Sequence, residues 1–182
     1  GLSGRVVYTS GFFGQSYKLI ALSEYATYFF GATIYLFTRS TLKPDTLDWK
    51  DLLHYIPGVA YILVITFYYI AAPTEVTRAR LESGEFFWAV VLFMGGGLLF
   101  NIGYWIAGYR VFLAFKKQTS TEASYVLKTT FFHRLLLGVF ICLFLWLVVY
   151  VIGVIDHTWL ERSFRPFIWI GLALLILLMS YY

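Results

Sequence analysis

Charge is scarce in this chain. Only 13% of its 182 residues are Asp, Glu, Lys or Arg, against 60% hydrophobic and 21% aromatic residues. A soluble domain of this size needs more polar surface than that to cover its core, so the composition excludes one. Cysteine is nearly absent too, and the single Cys142 excludes both an intrachain disulfide and a thiolate-bridged metal cluster. Its place inside an apolar run gives it a packing role. Also missing are a G-x-S-x-G elbow, a phosphate-cradling Gly-rich loop, paired intramembrane aspartates and an H-E-x-x-H pair. No enzymatic activity is expected. Zinc is excluded by the same reading, because no two histidines stand one turn apart with a glutamate.

What is present is long apolar runs. Five of them, over about residues 19–38, 53–72, 86–115, 131–155 and 164–182, each have the length needed to cross a bilayer. They are called spans A to E below. Backbone amides in hydrocarbon find no water, and the runs lack the alternation of barrel strands, so all five are expected to be helices. The fold class that follows is an all-α integral membrane protein: a bundle of about five transmembrane helices forming a single domain over residues 1–182. The four prolines agree with these boundaries. Pro57 opens span B, where a missing N–H costs nothing, and Pro44, Pro73 and Pro166 stand in or beside connections. Residues 1–18 are Gly/Ser-rich and do not have the layout of a signal peptide. The first residue, Gly1, is read as the start of a fragment.

Orientation follows from Lys and Arg in the short connections. The A–B side carries Arg39, Lys43 and Lys50, and the C–D side carries Arg110, Lys116, Lys117, Lys128 and Arg134. The opposite face has only Arg5, Lys18, Arg78, Arg80, Arg162 and Arg165, diluted by Glu75, Glu82, Glu85, Asp156 and Glu161. The denser stretch is therefore placed in the cytoplasm, with the N-terminus outside and the C-terminus inside. The net charge of +4 reflects topology and the anionic lipid surface, and no direct nucleic-acid contact by this segment is expected. Trp49, Tyr68, Tyr69, Trp88, Trp159, Tyr181 and Tyr182 near span ends read as interfacial anchors.

Polar groups within spans carry a cost unless they face a partner or a cavity. Glu24 in span A is the first candidate, a ligand or proton site, or a group near the outer headgroups or bonded to a Tyr. Ser23, Thr27 and Gly31 recur beside it at intervals of four, a stripe where another helix can approach closely. In span C, Gly95, Gly96 and Gly97 mark a bend, a hinge or a packing surface, and Asn101 is expected to bond across to another helix. His54 and His133 are placed near the same face and form a weak haem-ligand pair, since two helices can present axial imidazoles. Side and depth are all that supports it, and no cofactor is predicted.

One stretch is more specific: Gly31-Ala-Thr-Ile-Tyr-Leu-Phe-Thr-Arg-Ser-Thr-Leu followed by Asp48-Trp-Lys-Asp-Leu-Leu-His-Tyr-Ile-Pro57. It resembles the membrane-spanning sensor region upstream of the helix-turn-helix domain in bacterial AraC-type transcriptional regulators. In that family a span ends in a Gly-Pro-x-x-Tyr-x-Tyr-x-Arg-like motif and the next opens with Leu-Leu-His-Phe-x-Pro. Gly31, Tyr35, Arg39, Leu53, His54 and Pro57 match; Ala32 and Phe37 depart from the pattern, and so does Phe132-His-Arg-Leu at the start of span D.

The resemblance implies a seven-helix membrane part in the complete protein, two more spans ahead of these, a cytoplasmic DNA-binding domain behind them, and residence in the bacterial inner membrane. It also implies signal transduction, in which a signal in or outside the membrane changes helix packing and the change reaches the output domain. Arg39 is expected to pair with Asp51 or Asp48, and His54 to cap or bond the connection. The competing reading is an accessory subunit of a redox or photosynthetic assembly, bound through spans A and C and positioning lipid, quinone or pigment. A small transporter is a third class, without a convincing internal repeat to support it. Expected partners are membrane lipids and other transmembrane helices or subunits.

Overall fold

The computed structural model describes residues 25–43, 48–117 and 123–155, and among them there are helices and turns but no strand. A turn over residues 25–29 leads into α1, Phe30–Leu42. A 3-10 turn, Trp49–Tyr55, opens α2, Ile56–Ile65, which runs on through a π-helical turn, Thr66–Ile70. Next come α3, Thr74–Glu82, the long α4, Glu85–Lys116, and α5, Ala123–Ile155.

Local chemistry sets most of these ends. Pro57 lies in the first turn of α2, where its ring matches the helical φ and no N–H is needed. α3 begins after Pro73 with Glu75 in its first turn and Arg80 in its last, each complementing the helix dipole. Gly84, with φ of 75°, stands between α3 and α4 in a left-handed conformation that glycine adopts without strain. At 32 and 33 residues, α4 and α5 are each about 48 Å long, well beyond the ~30 Å of a hydrocarbon core.

Three helical stretches are long and apolar enough to cross a membrane: Trp49–Ile70, Phe87–Lys116 and Ser124–Ile155. They answer to spans B, C and D. Span D differs from its expected bounds, because its helix starts at Ala123 rather than 131; the polar first two turns, with Ser124 and Lys128, are helical without being apolar. The connection expected between B and C contains α3, whose polar sequence carries no hydropathy signal. Of span A, α1 supplies 13 residues beginning at Phe30, which is shorter than a span. Residues 19–24 and the whole of span E lie outside the described residues.

The chain divides into two compact units. In the first, residues 25–30 join Leu52–Gly97. Here the Tyr28 ring packs on Tyr61 at 4.6 Å, Tyr61 packs on Phe93 at 5.7 Å, and the Tyr28 hydroxyl donates to the Phe93 carbonyl at 2.9 Å. Gly96 and Gly97 face this group: a Cβ on Gly96 would stand 2.8 Å from the Tyr28 hydroxyl, and one on Gly97 2.7 Å from Thr27. The glycines make room for a packed side chain in an unbroken helix.

Of the described residues, the second unit holds those of Gly31–Asp51 and those from Leu98 to Ile155. α4 and α5 are antiparallel there, since Phe115 meets Tyr125, Phe112 meets His133, and Trp105 meets Phe140 while its indole N–H donates to the Leu136 carbonyl at 2.8 Å. α1 and α4 are parallel, with Gly31 against Asn101, Tyr35 against Tyr104, and Gly108 near Tyr35 and Thr38. Leu98, Phe112, Phe132, Leu136 and Val139 form the core. Buried Thr38 satisfies its hydroxyl within its own helix, donating to the Ile34 carbonyl at 2.8 Å.

Gly31 has less room for a side chain than Gly103 or Gly108 in the same unit. A Cβ there would lie 2.9 Å from the Asn101 Cα, a backbone atom that cannot swing aside. Gly31→Ala is therefore expected to destabilise the protein by about 1–3 kcal/mol despite alanine's better helix propensity. Gly108→Ala, whose Cβ meets neighbours at an ordinary 3.8 Å, is the matched control and should be neutral or mildly stabilising. Thermal unfolding of both variants in detergent checks this; equal midpoints would contradict it.

Candidate functional site

Three of the nominated residues come together at the C-terminal end of α1. Tyr35 and Arg39, one turn apart on the helix, share a face. The Arg39 guanidinium donates from Nη1 to Asp51 Oδ1 at 2.7 Å and from Nη2 to Oδ2 at 3.2 Å, the paired-fork geometry that suits arginine to a carboxylate. Asp51 Oδ2 also accepts the Asp48 N–H at 2.8 Å, while Asp48 Oδ1 accepts the Trp49 N–H and its carbonyl accepts the Asp51 N–H. Asp48 thus shapes the 3-10 turn and Asp51 takes the cation. The pair ties the end of α1 to the turn that leads into α2.

Both partners are largely enclosed, with side-chain exposures of 21% and 12%, so the pair is better shielded than an ordinary surface ion pair. Burial works against the Arg39 charge. The hydrogen bonds to Tyr35 and Asp51, together with the Asp51 charge, outweigh it and hold the arginine pKa above its ordinary value. The guanidinium stays cationic at any pH the fold survives. The Tyr35 ring in turn packs on Tyr104 of α4 at 5.7 Å, which carries the site onto a second helix.

Asn101 sits one turn further along the same contact line. It is buried, and its Oδ1 accepts the Gly31 N–H at 2.6 Å. That amide lies in the first turn of α1, where N–H groups have no partner within their own helix. A side chain on α4 therefore does the work of a cap for α1.

The remaining candidates are not gathered here. Glu24 lies outside the described residues. His54 is half-buried on the same 3-10 turn as Asp51 but belongs to the first compact unit. His133 is exposed on α5, its ring 6.2 Å from Phe112. Among the described residues no three His, Cys, Asp or Glu side chains are grouped so as to hold a metal ion.

A second polar cluster, in the first unit, escaped the sequence reading. Arg80 donates to the Tyr68 carbonyl at 2.6 Å, lies 4.0 Å over the Tyr68 ring and stands 3.8 Å from Glu85, whose Oε1 accepts the Tyr68 hydroxyl at 2.7 Å. Tyr68 is part of the π-helical turn, whose last carbonyls lack helical partners, and Arg80 satisfies one of them. A Tyr at a span end followed by a nearby Arg and Glu was the available signal.

No family model, curated protein or solved structure matches this chain.

Hydrogen bonds to charged groups are worth about 1.5–3 kcal/mol, so a double-mutant cycle over Arg39→Ala and Asp51→Ala should return a coupling energy of about 1–3 kcal/mol from unfolding midpoints. The exchanged pair, Arg39→Asp with Asp51→Arg, should regain part of what either single exchange loses. Additive losses across the cycle would show that the two side chains do not depend on each other.

Proposed function

We propose that this chain is the membrane-embedded sensor domain of a bacterial inner-membrane signalling protein, coupling a signal in or outside the bilayer to a cytoplasmic output domain that binds DNA. The observation that carries the reading is the continuous contact line of α1: Gly31 on Asn101, Tyr35 on Tyr104, Arg39 on Asp51. Those three residues of α1 are among the ones that carry the resemblance to AraC-type membrane regions, and each holds α1 to its surroundings. A signal that prefers one packing of this helix over another shifts the population between them, which is all that transduction requires physically.

Insertion into a bilayer is supported by what the long helices leave exposed. Leu63 and Phe67 on the α2 stretch, Leu92 and Leu99 on α4, and Phe144, Val151 and Ile155 on α5 are all exposed. Such faces are costly in water and at rest in lipid. Orientation is supported by the basic ends of α1, α4 and α5. The parallel run of α1 and α4, with α5 opposed, agrees with spans A and C both heading inward and D heading out. The role of Arg39 and Asp51 in this reading is to fix the cytoplasmic A–B connection, and catalysis is no part of it.

Cysteine-accessibility labelling in a Cys142→Ser background tests the topology. Lys117→Cys should react with an impermeant thiol reagent only after the cytoplasmic face is opened, and Ser83→Cys in intact cells; the opposite pattern contradicts the reading. The output is tested on the gene: a reading frame that continues past Tyr182 into a helix-turn-helix supports the sensor, whereas stable co-purification with redox or photosynthetic subunits supports an accessory subunit instead.

A further inference from the structure

Helix α4 and the residue that follows it present an exposed stripe at intervals of three and four residues: Leu99, Gly103, Ile106, Arg110, Leu113 and Lys117. All six are exposed, Leu99 at 71%. At Gly103 a Cβ would meet nothing within 4 Å, so the stripe has an open notch between Leu99 and Ile106. Arg110 interrupts the apolar surface about 10 Å short of Lys117 along the axis. Among the described residues neither cation makes an ion pair. From Phe86 to Ile155 the sequence has a single carboxylate, Glu122 in the connection outside the described residues, beside the cations Arg110, Lys116, Lys117, Lys128 and Arg134. This end of the two helices is thus cationic with almost nothing of its own to neutralise it.

We propose that this stripe is a binding site for an anionic phospholipid, with an acyl chain lying along Leu99 and Ile106 in the Gly103 notch and the headgroup phosphate held by Arg110 and Lys117. The assignment rests on the membrane-embedded reading above. Charge complementarity selects the occupant. A second copy of the chain docked on the same face would bring arginine against arginine, whereas an anionic headgroup supplies the missing negative charge. The long arginine stem reaches from within the apolar surface to the phosphate level, and its planar donor fork bonds two phosphate oxygens at once. Lys117, at the helix end, adds a second charge at the same membrane face.

The test compares full-length protein reconstituted in phosphatidylcholine vesicles with and without phosphatidylglycerol, then counts retained lipids by native mass spectrometry after extraction. The wild-type protein should retain phosphatidylglycerol preferentially. Each cation near an anionic lipid contributes about fivefold. Arg110→Gln and Lys117→Gln should each lower the preference by about that factor, and the double variant should lose most of it. Arg110→Lys should keep most of it, and Arg78→Gln, an exposed cation on α3, all of it. Gly103→Leu, which fills the notch, should lower retention of both lipids. A preference unchanged in the double variant, or abolished by inorganic phosphate, overturns the proposal. Flotation of the protein with both kinds of vesicle but no lipid preference sinks this inference alone, while failure to float with either sinks the membrane reading with it.

Discussion

The Asn101 side chain bonded to the Gly31 amide is the constraint on which the second unit depends. Two requirements meet at that point. A buried amide side chain must find a partner, and the first turn of α1 has an N–H with none of its own. Each solves the other's problem, at 2.6 Å, only because residue 31 has no side chain to hold the helices apart. The close approach then fixes the register of α1 on α4: Tyr35 follows onto Tyr104, and Gly108 leaves space beside Thr38. Polar and small-residue contacts of this kind select one arrangement among the many that apolar helix faces alone allow.

The other polar groups are spent at the helix ends. Arg39 and Asp51 fasten the connection after α1, and Arg80, Tyr68 and Glu85 fasten the π-helical turn and the approach to α4. Between these ends the helices are mostly apolar; of the polar groups, Thr38 is satisfied within its own helix, Tyr28 bonds across to the Phe93 carbonyl, and Arg110 is exposed. A chain built this way puts its specificity in a few bonds and its bulk in non-specific contact. It is therefore sensitive to changes that barely alter the hydropathy of a run, such as Gly31→Ala.

How much of this was legible follows from what hydropathy reports. Spans B, C and D were readable because long apolar runs need no knowledge of partners. The first turns of α5 were not, because a helix continues past the apolar run whenever propensity and capping allow, and Ser124 and Lys128 hide it. α3 was hidden for the same reason. Arg39 was readable as the partner of an aspartate in the next connection, but the choice of Asp51 over Asp48 depends on the 3-10 turn, in which Asp48 bonds its neighbour's amide. Asn101 was readable as a residue in need of a partner. That the partner would be a backbone amide, at Gly31, depends on helix register, which no single run of sequence encodes. Gly95 to Gly97 were legible as a bend, a hinge or a packing surface, and a packing surface is what two of the three provide, admitting Thr27 and Tyr28 in a continuous helix.

The most direct measurement is hydrogen exchange at the Gly31 amide, followed by NMR in lipid nanodiscs, for the wild-type protein and Asn101→Leu. Leucine keeps the branching and the number of side-chain heavy atoms and removes the acceptor. With the amide bonded to Asn101, exchange should be slow in the wild-type protein and about tenfold or more faster in the variant, as expected for the loss of one buried hydrogen bond. Equal rates at Gly31 in the two proteins would contradict the account.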